Sequence, residues 1–263
     1  MRRDLVGKRA ILTGASGGIG RAIAAALSRA GVRLVLAGRC ADKLRQLAAD
    51  LPDAIVEAAD VTLAADRQRL VGAALTAFGG LDLIVNAAGV GSFGHFAGST
   101  EDTLRAVMEV NFFAAAELTR IALPHLANGV QPAVVNITSM TGRRGMPAWS
   151  EYSASKFALV GLGEALRCEL SRFGIDVVTV VPGLTSTGFG GSLLRNEGKM
   201  RIPFERGMSP ESVAGRVVRA VQLNRREVWL GRETKLVLWF NKFFPRLQTW
   251  IINQKVKRLY RDP

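Results

Sequence analysis

Short apolar runs alternate with helical patterns from Arg9 onward, and this alternation restricts the chain to few architectures. The runs occupy 9–13, 33–38, 54–59, 81–86, 133–138 and 175–181, and helical patterns fill 18–30, 42–50, 64–78, 99–126 and 150–173. Strands apolar on both faces belong to a parallel sheet buried between helix layers. Regular βαβ alternation makes that sheet doubly wound, an α/β fold. The 263 residues, 48% hydrophobic and 22% charged, suit one globular domain and exclude a disordered chain.

The pattern loosens after Pro182, and 184–208 is read as a mobile loop without a clear period. Ser209-Pro210-Glu211 then opens a helix, as Ser99-Thr100-Glu101 does earlier, and 227–230 reads as a seventh strand. The two cysteines, Cys40 and Cys168, fit a reducing compartment. No secretory signal is read at the start, and no run approaches the roughly 18 apolar residues of a spanning helix. The expected location is the cytoplasm, at most peripheral on a membrane.

The first strand runs into Thr13-Gly14-Ala15-Ser16-Gly17-Gly18-Ile19-Gly20, where a helix begins. Glycines let the backbone turn sharply and approach a pyrophosphate, and the helix N-terminus favours its charge. In an open α/β sheet, ligands bind at the carboxyl ends of the strands. Here those ends read Thr13-Gly14, Gly38-Arg39, Asp60-Val61, Asn86-Ala87-Ala88-Gly89, Thr138-Ser139 and Pro182-Gly183. Six such motifs in register describe a cleft. Tyr152 and Lys156, four apart on the helix after strand five, share one face. An ammonium beside a phenol favours the phenolate, so the tyrosine pKa is expected below its ordinary value of about 10. Such a group exchanges a proton with a carbonyl or alcohol oxygen, which Ser139 is placed to hydrogen-bond.

In combination, Thr13-Gly14-x-x-x-Gly18-x-Gly20, Asn86-Ala87-Ala88-Gly89, Asn111, Ser139, Tyr152-Ser153-Ala154-Ser155-Lys156 and Pro182-Gly183 with Thr187 resemble the short-chain dehydrogenase/reductase family. The likeness covers about residues 7–230. It implies a single Rossmann-type domain, 1–231, with a seven-stranded parallel sheet, assembled as a homodimer or homotetramer. It implies Tyr152 as general acid/base, Lys156 as the residue holding the nicotinamide ribose, and Ser139 as the group polarising the substrate oxygen. Asn111 would hold a water linking Lys156 to a proton relay. The implied cofactor residues are Gly14, Ser16, Gly18, Ile19 and Gly20 in the glycine turn, with Asp60 and Val61 at the adenine. Asn86 and Gly89 follow at the fourth strand, and Pro182, Gly183 and Thr187, with the backbone around Leu184, hold the carboxamide side.

Cofactor choice has a physical basis. A site preferring NAD places Asp or Glu at the end of strand two, on the ribose 2′-hydroxyl. Here that end reads Ala37-Gly38-Arg39, and a guanidinium there pairs with a 2′-phosphate, so NADP(H) is expected. The second basic residue that some NADP-preferring relatives carry in the glycine turn is absent from Ser16-Gly17. Val90, Phe93, His95, Met140, Met146, Trp149, Phe189 and Leu193 are the expected substrate pocket. Their apolar character favours a lipophilic carbonyl or secondary alcohol. The alternatives are a 3-oxoacyl-thioester reductase and, in another class, a non-catalytic NADP-sensing protein. With two histidines and no Cys/His/carboxylate cluster, no metal is expected.

A basic, aromatic-rich helical extension, 232–263, follows the domain. The net charge is +13, and 225–263 hold ten basic side chains against three acidic ones. On a helical wheel Leu236, Val237, Trp239, Phe240, Phe243 and Phe244 share one arc, Lys235, Asn241 and Lys242 the other, with Leu238 as the exception. Leu247, Trp250 and Ile251 continue the apolar spacing after Pro245, and Lys255, Lys257, Arg258 and Arg261 follow. Such a face suits an anionic membrane surface, or packing on the domain or a partner subunit. No nucleic-acid motif appears, and no nucleic-acid partner is expected.

Overall fold

The computed structural model describes residues 2–200 and 202–259, so Arg261 of the basic cluster lies outside the described residues. The strands are β1 (Arg9–Thr13), β2 (Arg33–Gly38), β3 (Ala54–Ala58), β4 (Leu83–Asn86), β5 (Gly91–Phe93), β6 (Ala133–Ile137), β7 (Asp176–Pro182), β8 (Leu193–Asn196) and β9 (Glu227–Leu230). The helices are α1 (Gly18–Arg29), α2 (Ala41–Ala48), α3 (Ala64–Phe78), α4 (Glu101–Met108), α5 (Ala114–Leu126), α6 (Ser150–Glu169), α7 (Pro210–Gln222), α8 (Arg232–Phe243) and α9 (Pro245–Leu259).

Seven strands form one parallel sheet in the order β3-β2-β1-β4-β6-β7-β9. The chain winds outward from β1 to β3 and then returns to β4, so a crevice opens between β1 and β4 at their carboxyl ends. Alternating side chains of each central strand feed opposite cores. Ala10, Leu12, Leu34 and Leu36 pack with α1 and α7 on one face. Ile11, Val35 and Ala37 pack with α3 and α5 on the other. This double burial accounts for the continuous apolar runs. Strand β3 lies at the sheet edge and is only half-buried, which admits Glu57 there, paired with Arg69.

Three segments differ from the sequence reading. The helix expected over 99–126 is capped by Thr100, whose hydroxyl accepts from the Thr103 amide, but a π-turn at Glu109–Phe113 separates α4 from α5. One extra residue in a turn is invisible to a 3.6-residue periodicity, and such insertions gather at functional sites. The region 184–208 is built rather than shapeless. A 3₁₀ turn at Gly188–Ser192 leads into β8, which pairs in parallel with β5. Both strands are too short and too mixed in composition to show a period. The tail forms two helices, broken at Pro245.

Candidate active site

The turn after β1 is set by close backbone approach. Gly14 has φ +67°, and a Cβ on it would lie 2.7 Å from the Ala88 backbone. A Cβ on Gly20 would lie 2.0 Å from the Gly14 carbonyl oxygen. Thr13 ties this turn to the end of β4, its Oγ1 accepting from the amides of Ala87 (3.1 Å) and Ala88 (3.2 Å). Thr187 closes the other side, and a Cβ on Gly18 would sit 2.8 Å from its Cβ.

A cavity of about 830 Å³ runs along the carboxyl ends of the strands. Of the residues singled out in the sequence, Gly14, Ser16, Gly18, Ile19, Gly20, Arg39, Asp60, Val61, Gly89, Ser139, Tyr152, Lys156, Pro182, Gly183 and Thr187 line it. Asn86 and Asn111 do not. The Asn86 amide turns into the protein, donating to Asn136 Oδ1 (2.9 Å) and Thr119 Oγ1 (3.2 Å), so its side chain fastens the sheet beneath the cleft. Asn111, in the π-turn, is 1% exposed. Its Oδ1 accepts from the Val90 amide, and its Nδ2 donates to the Val90 carbonyl and to Ser155 Oγ, all at 2.9 Å. Asn111 thereby clamps the segment after β4 onto α6. It still shares a neighbour with Lys156, which it was expected to serve. Asn111 Oδ1 and Lys156 Nζ stand 3.2 Å and 3.5 Å from the position of a Cβ on Gly89.

Tyr152 sits between Trp149 and Phe189, with ring centres at 5.4 Å and 5.7 Å. Lys156 is buried on the same helix face, its Nζ donating to the Ile137 carbonyl at 3.1 Å. The expected fall of the tyrosine pKa is not found. Burial pushes the phenol up to about 12, against the pull of a hydrogen bond with Ser139. Burial also pushes Lys156 down to about 8. Desolvation outweighs the helix-face pairing that the spacing suggests. Ser139 Oγ also accepts from the Thr141 amide (3.2 Å), which holds it at the end of β6.

At the end of β2, Gly38 packs against Ser16, with 3.1 Å between its Cβ position and Ser16 Oγ. Arg39 follows, and Lys43, from the first turn of α2, lines the same part of the cavity. The acidic residue of that turn, Asp42, is paired with Arg45. Sequence reasoning missed Lys43. Its spacing of four from Arg39 is the signal that would have found it.

The expected substrate pocket divides. Val90, Met140, Met146, Trp149 and Phe189 line the cavity. Phe93 is buried behind Trp149 at 4.9 Å, and Leu193 packs on Gly91. His95 is exposed, its carbonyl accepting from Arg195. Val110, Met200, Ile202, Pro203 and Phe204 join the lining unforeseen. Val110 is brought in by the π-turn, and the other four come from a segment without a period that carries no local signal.

Residues 8–198 match the family model described as short chain dehydrogenase. The ketoacyl reductase HetN of Nostoc is 33% identical over 269 residues, spanning 98% of this chain and 89% of its own. Among solved structures, a 3-ketoacyl-(acyl-carrier-protein) reductase from Brucella melitensis, complexed with NADH, superposes with a TM-score of 0.78 at 26% identity. That match covers 86% of this chain and 97% of the other. An alcohol dehydrogenase from Thermococcus sibiricus, complexed with 5-hydroxy-NADP, gives 0.76 at 28% identity over 85% and 95% of the two chains. A cleft built on these residues, in a sheet of this order, with a family match over most of the chain, leads to one conclusion: the protein belongs to the short-chain dehydrogenase/reductase family of oxidoreductases.

Proposed function

We propose that this chain is an NADPH-dependent oxidoreductase, interconverting a carbonyl and a secondary alcohol on a lipophilic substrate. The observation that carries this reading is the Tyr152 phenol, lining with Ser139 and Lys156 one part of a cavity, walled there by Trp149 and Phe189, while Arg39 and Lys43 line another part. The glycine turn fits a pyrophosphate, since Gly14, Gly18 and Gly20 let the backbone fold this tightly where any side chain would collide, which brings the N-terminus of α1 to the cavity. Arg39 and Lys43 fit a 2′-phosphate by charge. The dinucleotide, when bound, supplies or takes up the hydride.

The residues supply position and the proton. Ser139 orients the substrate oxygen beside Tyr152. At neutral pH a phenol with a pKa near 12 keeps its proton, so it is ready to donate to the alkoxide that forms in reduction. The Lys156 ammonium stabilises the phenolate left behind, and Asn111 holds the segment around Gly89 and Val90 beside Lys156. The aromatic and methionine walls exclude water from the reacting oxygen, which strengthens each of these interactions. An assembly of two or four copies is the expected form.

A 3-oxoacyl thioester is the second substrate class. What favours it is the likeness to HetN and to the Brucella enzyme, both named as ketoacyl reductases. The presence together of Tyr152, Lys156, Ser139 and Asn111 speaks for catalysis over cofactor sensing. Tyr152→Phe tests the reading. Turnover of a lipophilic ketone falls by a factor of 100 or more, roughly the worth of a positioned acid, while NADPH binding by fluorescence is retained. Turnover surviving in Tyr152→Phe sinks the acid/base assignment.

A further inference from the structure

The α8–α9 hairpin leaves its largest apolar side chains in water. Its inward side carries Thr234 (2% exposed), Leu238 (3%) and Gln248 (7%). Its outward side carries Leu236 (69%), Trp239 (57%), Phe243 (53%), Phe244 (50%), Leu247 (47%) and Trp250 (59%). The leucine that breaks the helical-wheel arc is thus the one that anchors the hairpin. A surface helix ordinarily buries its apolar stripe and exposes its polar face. Large aromatic rings contribute most of the apolar area available to a contact, and here two tryptophans and two phenylalanines face outward. Trp239 and Phe243 stack at 4.7 Å, giving a continuous aromatic strip.

Charge decides what covers this face. Between 232 and 259, seven basic side chains stand against one acid, Glu233. Lys235, Lys242 and Arg246 rim the aromatic strip, and Lys255, Lys257 and Arg258 extend the positive field along α9, all of them exposed. A second copy seated on the strip would bring two strongly positive surfaces together. An anionic bilayer instead attracts each basic side chain that lies near its surface. Tryptophan and lysine around an apolar strip match the headgroup boundary. No described helix is long and apolar enough to cross a membrane, so the match is to its surface.

The hairpin is fastened to the walls of the cleft. Thr234 Oγ1 lies against Gly183, 1.9 Å from where its Cβ would be, and Gly183 lines the cavity. Thr249 of α9 accepts from Arg144, on the segment between the cavity-lining Met140 and Met146. We propose that the α8–α9 hairpin docks on an anionic lipid bilayer, its aromatic strip at the headgroup boundary, and so holds the cleft against the membrane surface. This goes beyond the proposed reaction and does not rest on it.

The test is sedimentation of the full chain with phosphatidylcholine vesicles, with and without phosphatidylglycerol, some carrying brominated acyl chains. The expected result is binding about ten-fold or more tighter to the anionic vesicles, weakened by salt, with tryptophan fluorescence quenched by the bromines. Trp239→Glu or Lys242→Glu weakens binding roughly ten-fold. The conservative pair Trp239→Phe and Trp250→Phe still sediments but loses the quenching. Equal or absent binding to both vesicle types overturns the proposal. So does quenching that persists in the conservative pair, which would place another surface in the bilayer. A dimer that Trp239→Glu dissociates, without vesicle binding, assigns the strip to a second copy instead. None of these readouts depends on turnover.

Discussion

The Lys156 ammonium lies 5.7 Å from the centre of the Tyr152 ring, and burial drives the two groups in opposite directions, the phenol up to about 12 and the lysine down to about 8. Of the two, the lysine is therefore the group that titrates nearer neutral pH before a dinucleotide enters. The dependence of kcat/KM for NADPH on pH reports the enzyme free of dinucleotide. The alkaline limb for reduction is expected near pH 8, where Lys156 loses its charge, with Tyr152 still protonated. An alkaline midpoint at pH 10 or above would give the limb to the tyrosine and remove the lysine from it.

The same burial makes Lys156 a cost to the fold. With its pKa depressed from 10.5 to about 8, the unfolded chain holds more protons than the folded one between those values, and stability rises with pH across that window. Below about pH 8 the penalty is fully present. Lys156→Met removes it and gives up one hydrogen bond to the Ile137 carbonyl, so the cofactor-free protein gains roughly 2 kcal/mol at pH 7. The gain fades towards pH 10.5, and activity is lost. Thermal unfolding at pH 7 and pH 10 checks both signs. A variant less stable than the parent at pH 7 contradicts the penalty.

Glycines of the first turn are unequal. Gly20 has backbone oxygen 2.0 Å from its Cβ position, whereas Gly17 has its nearest neighbour at 3.4 Å, an ordinary contact. Gly20→Ala is expected to destabilise by about 3 kcal/mol, because the Gly14 carbonyl cannot move without opening the turn. Gly17→Ala leaves the unfolding midpoint close to the parent's. Similar midpoints for the two variants would mean that the turn yields more freely than its contacts imply.

At the opposite end of the sheet, Asp82 is 2% exposed. It accepts from Arg9 Nε (2.8 Å), Arg9 Nη2 (2.7 Å) and the amides of Arg9 (2.9 Å) and Val130 (2.7 Å). Burial raises its pKa, but these hydrogen bonds together outweigh it and hold the carboxyl below its ordinary value. Its contribution is present above the unfolded pKa and is lost as pH falls through the lower folded value. Asp82→Ala leaves Arg9 and two amides without their partner and is expected to cost about 3–5 kcal/mol at pH 7. The cost narrows under acid, and urea unfolding at pH 7 and pH 3 measures it. A cost that stays constant across that range would detach it from the carboxylate's charge.

The fold was legible because its constraint is local and repeated. Each central strand is buried on both faces, so runs such as Ala10–Leu12 and Leu34–Leu36 announce themselves, and the glycine turn follows one of them. The meeting of Tyr152 and Lys156 in the cleft was legible because the two share a helix face. What stayed hidden depends on packing between distant segments. The π-turn that carries Asn111 changes the helix by a single residue. The pairing of β5 with β8 joins residues about a hundred positions apart. The inward turn of Asn86 is decided by Asn136 and Thr119, which no local pattern connects to it. The direction of the Tyr152 shift was missed because spacing shows which groups meet and burial decides which charge survives.

The proposed preference for NADPH rests on Arg39 and Lys43. Both line the cavity beyond Gly38, where a site for NAD would present a carboxylate to the ribose 2′-hydroxyl. A guanidinium and an ammonium there favour a 2′-phosphate, each worth on the order of ten-fold in affinity as a charge-assisted contact. Arg39→Asp is expected to weaken NADPH and to improve NADH, because the new carboxylate repels one and accepts from the other. Lys43→Ala is expected to weaken NADPH about ten-fold and to leave NADH unchanged, because the lysine has no partner on an unphosphorylated ribose. Titration of each variant with both dinucleotides separates the two residues. If Lys43→Ala weakens both cofactors alike, the lysine serves the shared part of the molecule, and Arg39 alone reads the 2′ position.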